Sequence, residues 1–122
     1  HVREVFYPKF VCRREYDALK TQQGGYGGLL SFVLQDCART TPRFYDALQV
    51  SKGPGLGTVF TLACPYTLLA HYRELEWAEA HGVSRYLIRV SVGVEDKAGV
   101  IQAFAAALQE SNEESEFHGS IV

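Results

Sequence analysis

The chain has 122 residues, 47% of them apolar and 21% charged, with a net charge of −2. That size and balance describe one globular domain with a core of its own. They exclude an electrostatic case for nucleic acid or an acidic membrane surface, and no apolar run approaches the roughly 20 residues of a bilayer span.

Residues 2–7 (Val-Arg-Glu-Val-Phe-Tyr) are rich in strand formers and stop at Pro8, which predicts a short first strand. A polar, helix-tolerant stretch at 13–22 leads to the glycine cluster at 24–28. From it emerges Leu29-Leu30-Ser31-Phe32-Val33-Leu34, a near-continuous apolar run suited to a buried strand. Thr41-Pro42 signals a helix through Val50, with threonine at the cap and proline in the first turn. A loop over 51–57, a strand over 58–63 and a helix from 67 to 81 stopped by Gly82 follow.

The last strand, Tyr86-Leu87-Ile88-Arg89-Val90-Ser91-Val92, is the most legible. Its period of two puts Tyr86, Ile88, Val90 and Val92 on one face and Leu87, Arg89 and Ser91 on the other. Gly93 ends it. Glu95 and Asp96 are predicted in the first turn of a helix whose Ile101, Phe104, Ala105 and Leu108 form one apolar stripe. Beyond Gln109 the acidic segment has no apolar period, so 110–122 is expected to be a disordered tail. Short strands, and a last strand with one polar face, favour an α+β fold: a small, largely antiparallel sheet of about four strands with helices on one face. The second face then meets solvent or another domain.

Arg89 stands out chemically. An arginine in the middle of an apolar strand cannot be fully buried without a partner. Either its face is solvated, or the guanidinium fork, held on a rigid strand, receives a carboxylate bidentately, with Ser91 on the same face to assist. Gly53-Pro54-Gly55-Leu56-Gly57-Thr58 fits no phosphate-loop pattern and leads into a strand rather than a helix, so it is read as a flexible connection. His1, His71, His81 and His118 have no metal-ligand spacing. Nothing in the sequence fixes Cys64 and His71 as a nucleophile pair, and Trp77 is expected to pack on a helix face. Cys12, Cys37 and Cys64 stand at unrelated spacings and are read as free thiols, which makes the cytosol the expected compartment. The N-terminus lacks a signal-peptide pattern. The chain contains no methionine and opens on a histidine, so it is expected to be one piece of a longer polypeptide.

Four stretches, in order, resemble the C-terminal domain of the Cys/Met-metabolism family of pyridoxal-phosphate enzymes. Val2 to Pro8 is similar to the family's opening strand, and Gly27 to Leu34 to its glycine-led second strand. Tyr86 to Asp96 (YLIRVSVGVED) resembles its most distinctive C-terminal signature. Leu56-Gly57-Thr58 with Thr61 to Tyr72 looks like the fungal cystathionine γ-synthase branch. The likeness spans residues 2–109. It implies the small C-terminal domain of a fold-type I enzyme over 1–109, with Arg89 binding the α-carboxylate of an amino-acid substrate. Cys64 and Tyr66 occupy the region where many members carry a longer Ser-Leu-Gly-Gly-x-Glu stretch of the substrate pocket, so they join Arg89 and Ser91 as expected substrate-binding residues.

The resemblance further implies a parent enzyme acting on an activated homoserine and a thiol, oligomeric, with pyridoxal phosphate held by a large upstream domain. Lys9, Lys20, Lys52 and Lys97 sit in none of the family's cofactor-lysine context, so no cofactor is expected on this chain alone. A stand-alone docking module descended from this domain, or a sheet face reused for cofactor-free chemistry on a small acid, are the other readings of the same residues.

Overall fold

Residues 1–113 are described in the computed structural model. Five strands, β1 (Val2–Phe6), β2 (Leu29–Leu34), β3 (Ser51–Lys52), β4 (Leu62–Pro65) and β5 (Ile88–Ser91), form one sheet in the order β1-β2-β5-β4-β3. Every pairing is antiparallel except that of β3 with β4. The helices are α1 (Pro8–Val11), α2 (Arg13–Leu19), α3 (Cys37–Ala47), α4 (Tyr66–Ala70), α5 (Leu75–Ala80) and α6 (Lys97–Asn112). This is the α+β fold expected, with a two-residue fifth strand, β3, inside the segment read as a loop.

The core lies between one sheet face and the pair α3 and α6. Phe32 and Leu34 of β2, Ile88 and Val90 of β5 and Ala63 of β4 meet Phe44, Leu48 and Ala107, all of them buried. Phe44 is completely buried, edge-on to Phe32 at 5.6 Å and tilted against Phe104 at 6.1 Å between ring centroids. The period-two reading of β5 holds at its centre, where Ile88 and Val90 face this core. The second face is partly covered: α5 and the turn after it stand over β1 and β2, and Val33, on that face, is 1% exposed.

Several boundaries differ from the sequence reading, each for a physical reason. α3 begins at Cys37, not Thr41. Asp36 turns the chain in the left-handed region (φ 49°), and its carbonyl accepts the amides of Arg39 and Thr40. Pro42 therefore lies inside the helix and forgoes one amide hydrogen bond, a loss offset by burial of Phe44 and Leu48. The strand expected at 58–63 runs from Leu62 to Pro65, because pairing with β5 fixes the register through Leu62–Ser91 and Cys64–Arg89; Val59 and Phe60 are exposed.

The single helix expected over 67–81 is two, broken where the His71 carbonyl accepts the Glu74 amide and the His71 ring meets the Glu74 carboxylate at 2.6 Å. Gly82, with φ of 84°, ends the second, as read. Trp77 is 55% exposed and stacks on His81 at 4.3 Å rather than packing inward. In α6 the buried stripe runs through Ala107 and Ser111, one position off the expected one, leaving Ile101 60% exposed. The small residues let α6 approach α3 closely, and they carry the helix three residues past Gln109 to Asn112. The rest of the expected tail, 114–122, lies outside the described residues. Replacing Phe44 with alanine empties the contact between sheet, α3 and α6, and is expected to cost about 3–5 kcal/mol, measurable by denaturant unfolding of the chain.

Candidate functional site

The second face of the sheet carries a row of four side chains, one per strand. The register aligns Phe6 with Ser31, Ser31 with Arg89, and Arg89 with Cys64. Arg89 sits near the middle of this row, half-buried. Its guanidinium carbon stands 5.1 Å from the centroid of the Tyr66 ring, and Nη2 donates to the Pro54 carbonyl oxygen. A cation over an aromatic face gains about 0.5–2 kcal/mol, depending on desolvation. Both partners are neutral. The ion pairs among the described residues are Arg3–Glu4, Arg13–Asp17, Lys20–Asp17, Arg39–Asp36, His71–Glu74 and Arg85–Glu79, and Arg89 takes part in none of them. A half-buried cation is thus held in place without a counter-ion among the described residues.

Tyr66 opens α4, where its amide donates to the Leu87 carbonyl and anchors the ring beside β5. Cys64 is 1% exposed; burial pushes its thiol up, the Arg89 charge acting weakly in the opposite direction. A raised thiol is a poor nucleophile at neutral pH, and His71, the partner considered for it, is bound to Glu74. Ser91 lies on the Arg89 face as read. It is 6% exposed, and its Oγ accepts the Gly57 amide at 3.0 Å. The structure therefore brings Tyr66 and Cys64 to Arg89 and sets Ser91 on the same strand face, bound to the 53–57 loop.

What the sequence reading missed is a web that joins the segment before β4 to the segment after β5. The amide and hydroxyl of Thr61 both donate to the Glu95 carboxylate, the hydroxyl at 2.8 Å, and the Gly93 amide donates to Thr61 Oγ1 at 3.0 Å. Glu95 therefore stands before α6, not in its first turn, and Asp96 caps that helix by accepting the Gly99 amide. A Cβ on Gly93 would come within 2.5 Å of the backbone of Val59 and Phe60, so only glycine permits this crossing. The lone signal in the sequence was Gly93 followed by an acidic pair.

The four lysines have other surroundings. Lys20 meets Asp17 and the Tyr26 ring, Lys52 meets the Tyr45 ring and the Asp46 carbonyl, and Lys9 and Lys97 are exposed. Cys12, Cys37 and Cys64 are free thiols. Among the described residues no group of three His, Cys, Asp or Glu could hold a metal ion, and no helix is long and apolar enough to cross a membrane.

Comparison with known proteins places these features. The model of the Cys/Met metabolism PLP-dependent enzyme family matches residues 1–109. The chain is 50% identical over 117 residues to the cystathionine gamma-synthase of Neurospora crassa, covering 95% of this chain and 19% of that protein. It is 39% identical over 113 residues to the cystathionine gamma-synthase of Saccharomyces cerevisiae, covering 89% and 18%. Among solved structures it resembles cystathionine gamma synthase from Xanthomonas oryzae pv. oryzae in complex with cystathionine, with a TM-score of 0.76 and 26% identity over 90% of this chain and 29% of that one. The chain spans about a fifth of the length of the curated relatives it matches.

The Thr61 amide and hydroxyl hold the Glu95 carboxyl below the ordinary glutamate range. A carboxyl lowered by folding stabilises the fold above its unfolded pKa of about 4.3, and that contribution is lost as pH falls through the lower folded value. The melting-temperature gap between the chain and its Glu95→Gln variant is therefore expected to be widest near neutral pH and to close in acid. A gap that widens in acid would rule out an ionised acceptor.

Proposed function

Because the chain belongs to the Cys/Met metabolism family of PLP-dependent enzymes, we propose that it is the C-terminal domain of a cystathionine γ-synthase-like transferase or lyase, in which Arg89 binds the substrate α-carboxylate. The observation that carries this reading is the half-buried guanidinium on β5, fixed by the Pro54 carbonyl and the Tyr66 ring and free of any carboxylate partner among the described residues. A cation so placed has its geometry set before the ligand arrives, which cuts the ordering cost of binding and gives the planar fork one preferred approach. Tyr66, Cys64 and Ser91 shape the surroundings of that cation. Holding the carboxylate fixes the amino acid's reacting carbons relative to the rest of the complete enzyme, a contribution of positioning rather than of proton transfer.

Pyridoxal phosphate requires a lysine for its Schiff base, an acidic partner for the ring nitrogen and a phosphate cradle. The lysines of this chain do not fit such a site, since each is exposed or engaged with an aspartate, a carbonyl or a tyrosine ring. Their placement supports a cofactor held by a large domain outside this sequence. The substrate class under this proposal is an activated homoserine with a thiol such as cysteine. The compartment is the cytosol, which the three free thiols support. A groove of about 420 Å³ lined by apolar side chains, among them Val2, Val5, Ile101 and Phe104, supports a neighbouring domain or a second subunit against β1 and α6.

Two outcomes follow. In the complete enzyme, Arg89→Lys keeps the charge and loses the fork, and is expected to raise KM for the amino-acid substrate about 10- to 100-fold, the worth of a charged hydrogen bond. Unaltered KM and turnover would remove the assignment. The chain alone, incubated with pyridoxal phosphate and borohydride, is expected to retain no cofactor; a reduced adduct on one of its four lysines would place the cofactor site here instead.

A further inference from the structure

We propose that Ser91 is a positioning residue for Arg89: by accepting the Gly57 amide it pins the 53–57 loop, so that the Pro54 carbonyl holds one part of the guanidinium and leaves the rest to the substrate carboxylate. This inference rests on the Arg89 reading above and deepens it.

Ser91 and Arg89 alternate on the same face of β5, so the strand fixes both at a set separation. The loop opposite them is tied at its start, where the Gly53 amide donates to the Ala63 carbonyl, and among the described residues no further backbone–backbone bond holds it from Pro54 to Gly57. It holds Gly53, Gly55 and Gly57, of which Gly57 adopts φ of 69°, and from Pro54 to Gly57 it is exposed. An exposed glycine-rich loop does not hold a carbonyl against a cation without a tether. Ser91 supplies that tether from a position only 6% exposed, through the 3.0 Å bond from the Gly57 amide. The hydrogen bonds among the described residues engage Nη2 of Arg89 alone, on the Pro54 carbonyl, while the Tyr66 ring covers a face of the guanidinium. Of the five donors of an arginine, most remain for a carboxylate, and their plane is fixed by two contacts rather than one. Ser91 therefore acts through the loop. With its Oγ engaged and its side chain buried, it has no need to touch the substrate.

The test uses the complete enzyme with Ser91→Ala, Arg89→Lys and the double variant, together with amide exchange of the 53–57 segment. Ser91→Ala is expected to accelerate exchange in that segment and to raise KM for the amino-acid substrate about five- to tenfold, with kcat changed less than about twofold. In the Arg89→Lys background the same change is expected to add less than about twofold, because the group it positions is gone. Unchanged exchange, an unchanged KM, or an effect equally large in both backgrounds overturns the inference. An Arg89→Lys enzyme with normal KM overturns the carboxylate reading itself, so the two failures are told apart. Where Ser91→Ala does not fold, Pro54→Gly at an exposed position frees the same carbonyl. It is expected to raise KM in the same Arg89-dependent way, and an unaltered KM there overturns the inference.

Discussion

The structure turns on the double duty of β5. As the central strand it pairs with β2 on one side and β4 on the other, and its alternate residues must serve two unlike environments. Ile88 and Val90 close the core against α3 and α6, while Arg89, between them, points away from it. The strand cannot shift by one residue without driving a guanidinium into the Phe32–Phe44 contact, where an unpaired charge would cost several kcal/mol. Core packing therefore fixes the position of the charge. Stability and the proposed binding role share one register.

Fixing the strand does not fix the side chain, and the rest of the second face supplies that. The Glu95–Thr61–Gly93 web ties the segment before β4 to the segment after β5. Ser91 ties the glycine loop, and the Leu87 carbonyl ties the start of α4, which carries Tyr66. The last two of these links hold the segments that carry the Pro54 carbonyl and the Tyr66 ring, the two groups that meet the cation. They join backbone to backbone or to short side chains, so they order the surroundings with little side-chain entropy lost. Cys64 is buried beside Arg89, and burial pushes its thiol up. Under the proposed reading, this face recognises an anion.

The legible parts of the sequence were those set by local period and by glycine or proline signals. β5 declared its two faces, β2 its buried run, and Gly82 the end of α5. The α+β class followed from the short strands together with the polar face of β5. The start of α3 was illegible because a left-handed aspartate, not a threonine cap, opens it. The register of β4 depends on pairing with β5, which propensity does not record, and so Val59 and Phe60 looked like a strand. The break between α4 and α5 rests on a His71–Glu74 contact with no glycine or proline to announce it. At the site, Arg89 and Ser91 could be placed on one face from spacing, and Tyr66 and Cys64 came through the family resemblance. The Pro54 carbonyl and the Thr61–Glu95 link are tertiary contacts between segments about 35 residues apart, beyond the reach of any local pattern.

The most direct measurement is a crystal structure of the complete enzyme with an amino-acid substrate or unreactive analogue bound. The ligand's α-carboxylate is expected within about 3 Å of the Arg89 guanidinium nitrogens, with Tyr66 still against the same side chain. A carboxylate bound by another cation, with Arg89 turned to solvent or paired to an acidic residue of the neighbouring domain, would contradict it.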